Sequence, residues 1–186
     1  CLSRGLGDVY KRQPDRRVEP ERFLPRTRRP EPAGMGRLMR ATSLDTSFEA
    51  ELRGLILLFL LGDAADADYL GALDTITVNA HTFGVGAENL NGTHRLASGE
   101  LHTRTVLMTQ ALQHLAIQGF VTLQPDRSPA AFTITAEGES VVNHFRSRYA
   151  GQLFDTALET IERVGDLSTS ELAQIIRSAT PEGETR

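Results

Sequence analysis

The stretch GFVTLQPDRSPAAFTITAEG, residues 119–138, decides the fold class. Phe120 to Leu123 and Ala131 to Thr135 are short β-prone runs, and Pro125 with Asp126 marks residues 124–128 as the turn between them. A hairpin is predicted. Gly119 ends the helical run in front of it, and the Thr135 hydroxyl is placed to cap the helix that follows. Helix, hairpin and helix in this order predict a mainly α fold with a small β-hairpin wing, winged helix-turn-helix-like, with a long C-terminal helix.

Upstream of the hairpin, Leu107, Met108, Ala111, Leu112 and Leu115 form one face of a helix from about Gly99 to Gln118, with Ser98 as its cap. The run before it, HTFGVGAENLNGTHRLAS at residues 81–98, has three glycines, two asparagines and no sustained periodicity, and it reads as an exposed loop. Earlier still, Leu52, Leu55, Ile56, Phe59 and Leu60 recur at helical spacing behind the capping-box pair Thr46 and Glu49, and Gly62 stops that helix. Asp66 or Asp68 caps a second helix whose Leu70, Leu73, Ile76 and Ala80 face inward.

Downstream, Val142, Phe145, Tyr149, Leu153, Ala157, Ile161 and Val164 line one long helix with a bend near Gly151. Ser168 and Glu171 then repeat the capping-box spacing before a last short helix with Leu172, Ile175 and Ile176. The C-terminal amphipathic face has two readings. It pairs subunits of a homodimer or docks a partner, or it packs on the wing and the first helix.

The two ends of the chain read differently from the middle. SRGLGDVYKRQ, Ser3 to Gln13, resembles the translated adapter of transposase-based library preparation, so residues 1–13 are expected to be an artefact without structure. Residues 14–42 are rich in Pro and Arg and are expected to be disordered and non-native, with Met35 or Met39 as the true start. One domain is expected over residues 43–179, followed by a polar tail, 180–186.

Setting the first 42 residues apart changes the charge. Residues 43–186 hold nine Arg against nineteen Asp and Glu, a net −10, where the whole chain is −4. They contain neither Cys nor Lys, which excludes a disulfide framework and a thiolate metal site. The longest apolar run, Leu55 to Leu61, is far short of the roughly 20 residues a membrane helix needs. A cytoplasmic protein is expected.

No catalytic constellation stands out. His81, His94, His102, His114 and His144 form no HxxH or HExxH pattern, so structural or solvated histidines are favoured over zinc. Asp63, Asp66 and Asp68 lack the glycine and terminal glutamate of a calcium loop and read as helix caps. Gly84-Val85-Gly86 lacks a preceding strand and a third glycine, which makes it no nucleotide fingerprint. The expectation is a protein that is no enzyme and takes neither cofactor nor metal. For DNA, a groove-reading third helix would offer His102 and Arg104, supported by Arg127 in the wing and by Arg146 and Arg148. A −10 domain repels phosphate at long range, so protein contacts are preferred to DNA.

Several short motifs carry a family resemblance. Glu51-Leu52-Arg53 with Leu55 to Leu61, Leu73-Asp74, the His81, Phe83 and Gly84 stretch, and His94, Arg95, Gly99, Glu100 and Arg104 recur in that order. Over about Phe48 to Glu159 the chain resembles the middle component, second class, of bacterial ABC-type three-component systems. The chain departs from that pattern in Asn91-Gly92-Thr93, where prolines are common, and in a longer C-terminal helix pair. The resemblance implies a small adaptor joining an ABC or SMC-like ATPase to an effector in a conflict or antiviral defence system. It also implies a partner-facing surface made by Phe83, His94, Arg95, Glu100 and Arg104. The other reading of Arg95 and Arg104 is that they pair with nearby acids and fix the loop to the third helix. The alternative function is a dimeric winged-helix transcription regulator.

Overall fold

Residues 47–92, 96 and 99–179 are described by a computed structural model. Along the chain run α1 (Ser47–Leu61), β1 (Ala65–Asp66), α2 (Ala67–Val78), α3 (Glu100–Ile117), β2 (Val121–Gln124), β3 (Ala131–Ile134), α4 (Ala136–Asn143), α5 (Arg148–Val164) and α6 (Thr169–Ala179). The protein is mainly helical with one small antiparallel sheet of order β1-β3-β2.

The hairpin is where residues 119–138 put it. β2 pairs with β3 from Val121 opposite Ile134 to Gln124 opposite Ala131. Thr135 caps α4 by accepting from the Gly138 N–H at 3.2 Å, and its own hydroxyl donates to the Gly119 carbonyl at 2.8 Å. The one threonine thus locks the start of α4 to the end of α3. Gly138 completes the corner, because a Cβ there would lie 2.2 Å from the Phe120 carbonyl oxygen. The third strand was not expected from the sequence. β1 has only two residues, and Ala65 and Asp66 pair with Phe132 and Ala131. Two residues are too few for an alternation signal. Helix, strand, two helices and a hairpin is an order compatible with a winged helix.

Asp66 is the cap of α2, accepting from the Tyr69 N–H at 2.9 Å. Gly62, at φ +64°, ends α1 as expected. The Thr46 and Ser98 caps lie outside the described residues. At the start of α3, Gly99 is the N-cap, in the left-handed region at φ 87° and with no side-chain bond.

Two further expectations are corrected. The long helix after the wing is two helices: α4 ends at Asn143 and α5 starts at Arg148. The break lies at residues 144–147 and not near Gly151, because the Ser147 hydroxyl accepts from the Ala150 N–H at 3.0 Å and opens a new helix. The loop after α2 is exposed only in part. Phe83, Val85 and Leu90 pack against the core, and Leu96 is buried in it.

The core lies between α1, α2 and α3, with α5 and α6 laid over α2. Every residue of α2 from Leu70 to Val78 is buried. α1 is buried along Arg53 to Leu58. The faces of α5 and α6 reach this centre through Leu153, Ala157, Leu172 and Ile176. The Phe59 and Phe154 rings sit 6.1 Å apart where α1 meets α5. No helix among the described residues is long and apolar enough to cross a membrane.

Candidate functional site

Five charged side chains are joined between α1, α2 and α3 in the helical core. Arg53, on α1, has no exposed surface, and its Nε lies 2.7 Å from Asp74 Oδ1 on α2. The other Asp74 oxygen, Oδ2, accepts from Arg104 Nη1 on α3 at 3.2 Å. Arg104 Nε in turn donates to Glu100 Oε1 at 3.0 Å, one helical turn back. Glu49 adds a second carboxylate 4.0 Å from Arg53. Two guanidiniums therefore share one buried aspartate and are each flanked by a glutamate. An isolated charge in such a place costs several kcal/mol, roughly, to desolvate, so the fold depends on all these partners being present together.

The network extends to the ends of the loop between α2 and α3. Asn79, the C-cap of α2, donates to the Thr75 carbonyl at 2.9 Å and to Glu100 Oε1 at 3.1 Å. That second bond joins the residue leaving α2 to the residue entering α3. Within the loop, Leu90 N–H bonds the Val78 carbonyl at 3.0 Å, and Asn89 exchanges two bonds with Thr82. Arg163, from α5, donates to the Gly84 carbonyl and holds the turn against that helix.

Against this geometry the residues named from the sequence separate. Glu100 and Arg104 come together, but inward. Arg104 is 4 % exposed and held between Asp74 and Glu100. Phe83 sits in the loop, half-buried against the core. His94 and Arg95 lie outside the described residues. Arg53 and Asp74 stood in the motifs but were not named as site residues. Their signal was available: each is a charge set among buried apolar neighbours of a helix, Leu55 to Leu58 for Arg53 and Leu70 to Ile76 for Asp74.

The residues named for DNA are scattered. His102 is exposed on the first turn of α3, at a cleft of about 310 Å³ shared with Asp68, Thr105 and Thr169. Arg127 is exposed in the wing turn, 3.6 Å from Asp63. Arg146 turns back onto the carbonyls of Asn143 and Phe145, and Arg148 is exposed at the start of α5. Only Arg104 is withdrawn from solvent, and it is the one arginine of α3.

Two tyrosines are tuned by this packing. Burial raises the Tyr149 phenol above its usual value; the nearby Arg53 charge opposes that, while Glu49 and Asp74 add to it. Tyr69 is also raised, by burial first and then by Asp166 and Asp66, and its hydroxyl donates to the Gly165 carbonyl. The Tyr69 hydroxyl thereby ties the start of α2 to the end of α5. Among the described residues, no three His, Cys, Asp or Glu side chains gather as a metal set.

Residues 43–184 match the family described as ABC-three component (ABC-3C) system Middle Component 2. No curated protein and no solved structure matches the chain. The chain belongs to the middle component 2 family, and Arg53, Asp74, Glu100 and Arg104, which carried the resemblance in sequence, are members of its buried ion network.

Proposed function

We propose that this chain is a non-enzymatic adaptor that holds an ABC or SMC-like ATPase and an effector together in a conflict system. The observation that carries the reading is the family match across residues 43–184, in a system whose description names three components and puts this one in the middle. The geometry supports an adaptor physically. Arg53, Asp74 and Arg104 of the family motifs are engaged in fixing α1, α2 and α3 to one another, which is what a rigid connector needs.

On this reading, the loop after α2 is the docking region. Phe83, His94 and Arg95 face the partner, and Glu100 and Arg104 act as positioning residues that hold the base of the loop. The regulator alternative is disfavoured by α3 itself, whose one arginine is buried in the ion network. The test is coexpression of the tagged full chain with the ATPase encoded beside it. A stable complex is expected, and Arg95→Ala is expected to weaken it with the melting temperature unchanged. Recovery of the chain free of both neighbouring gene products would sink the adaptor reading, and salt-sensitive binding to its own promoter would install the regulator instead.

A further inference from the structure

The outward faces of the helices differ in charge. On α5, Asp155, Glu159 and Glu162 face water, in keeping with the −10 balance of residues 43–186. α3 is the exception. Residues 105–125 hold no Asp, Glu, Lys or Arg, the longest such run in residues 43–186. His114, the one titratable group in it, lies 2.7 Å from Glu51 of α1. Five residues make the outer strip of α3: Thr103, Val106, Gln110, Gln113 and Ile117 are all exposed, in steps of three and four. That is the spacing of a helix–helix seam. Val106 is 42 % exposed and Ile117 84 %, two large apolar side chains left in water toward its ends.

The strip is also self-complementary. In an antiparallel pair of identical helices, a two-fold axis midway between Gln110 and Gln113 sets Val106 of each copy on Ile117 of the other, and Gln110 on Gln113. Apolar meets apolar at both ends. In the middle, amide meets amide, and each offers a donor and an acceptor to the other. A polar layer inside an apolar seam fixes its register at some cost in stability. The contact of Glu51 with His114 also brings the first turn of α1, with its exposed Phe48, to the Ile117 end of the strip.

We propose that the outer face of α3 pairs with the same face of a second copy, antiparallel about an axis between Gln110 and Gln113. Two domains of charge −10 repel over most of their surface, and this uncharged face is where they approach at the least electrostatic cost. A pairing through α5 would instead set Asp155, Glu159 and Glu162 against their own copies. One helix pair is small beside the roughly 1,200 Å² of a standard interface, so the dimer is weak, with a Kd on the order of 0.1 mM. The pairing uses α3 and leaves the loop after α2 open, so it stands or falls apart from the adaptor reading.

Sedimentation equilibrium of the full chain tests the proposal. Dimer should appear as the concentration passes about 0.1 mM. It should tighten as salt rises from about 50 to 500 mM, because screening relieves the repulsion between the domains. Ile117→Lys should weaken it at least about tenfold, since two buried isoleucines are lost, with the far-ultraviolet spectrum unchanged. Leu158→Lys, on the exposed side of α5, should leave it intact. Cross-linking reads the register. In a Cys1→Ser background, Val106→Cys/Ile117→Cys should give a disulfide-linked dimer under mild oxidation. Neither single variant should, because like positions lie about 16 Å apart along the seam. A chain that stays monomeric to about 1 mM overturns the proposal. So does cross-linking that is equally efficient in a single variant. A dimer that survives Ile117→Lys and is lost in Leu158→Lys overturns it in favour of α5, and duplex DNA binding abolished by Gln113→Ala overturns it in favour of a groove.

Discussion

The inner helices α1, α2 and α3 and the outer helices α5 and α6 use charge in opposite ways. In the inner set, Arg53, Asp74 and Arg104 lie inside, balanced with Glu49 and Glu100, and α2 is buried on every side from Leu70 to Val78. In the outer set, Asp155, Glu159, Glu162, Glu171 and Arg177 face water, and one stripe of apolar residues faces in. The outer helices are organised by local rules, cap and stripe. The inner ones are organised by contacts between helices distant in sequence. The same substitution should therefore have different consequences in the two layers.

Asp74→Ala should show the largest effect. It removes the shared partner of two buried guanidiniums, and a loss of about 3–5 kcal/mol is expected, enough to deplete the folded state. Thermal melts of this variant and of Arg53→Met/Asp74→Leu/Arg104→Met would sharpen the comparison. The triple variant should recover part of the loss, because no fully buried charge is left stranded and only the half-buried Glu49 and Glu100 lose their arginine partners. A full-strength melt from Asp74→Ala alone would show that the network contributes nothing to holding the layer together.

A matched pair of glycines comes next. A Cβ on Gly71 of α2 would lie 2.8 Å from the Thr105 Cα, which is backbone that cannot turn aside. Gly71→Ala should therefore destabilise the chain by about 1–3 kcal/mol through overpacking. Gly151 of α5 has nothing within 4 Å, so Gly151→Ala should stabilise it by roughly 0.5–1 kcal/mol. Shifts of equal sign in denaturant titrations would break the contrast between layers.

The outer helices should respond to their caps. Ser147→Ala removes the acceptor of the Ala150 N–H and should cost about 1 kcal/mol, with fraying confined to the start of α5. The smallest effect is one of pH. Glu171 accepts from the Ser168 hydroxyl at 2.6 Å and from its N–H at 2.8 Å, and these bonds hold its carboxyl below the usual value. A lowered folded-state value means that the stabilisation is present above the ordinary carboxylate range and is lost as pH falls through the folded value. Wild type and Glu171→Gln should accordingly converge in acid and separate at neutral pH, in amide exchange of the first turn of α6.

This division of layers also explains what the sequence made legible. The caps at Asp66, Thr135 and Ser168, the hairpin, and the inward stripes of α5 and α6 are all local, and each appears where its residues predict it. The break at 144–147 escaped because the apolar spacing runs through it without a gap; only the Ser147 cap marks it. β1 escaped because its partner lies across the chain at Phe132. The arginine on α3 was legible as a motif residue but not as an interior one. Its position one turn before Met108, on the same inward stripe as Ala111 and Leu115, was the available signal. The expected partner-facing set mixed that buried residue with loop residues, whereas the other reading, in which Arg104 pairs with nearby acids, matches its bonds to Asp74 and Glu100.

The bond between Asn79 and Glu100 has a consequence for how this region can vary. It draws together the two ends of a twenty-residue excursion and settles the path of the chain before and after it. A loop clasped at its neck can be lengthened or rewritten at modest entropic cost, about 0.6 kcal/mol for each doubling of length, without disturbing the helices on either side. Exposed positions beyond the clasp, such as Ala87 and Glu88, are thus free to vary, while Asn79 and Glu100, with the core contacts of Phe83, Val85, Leu90 and Leu96, keep the frame constant.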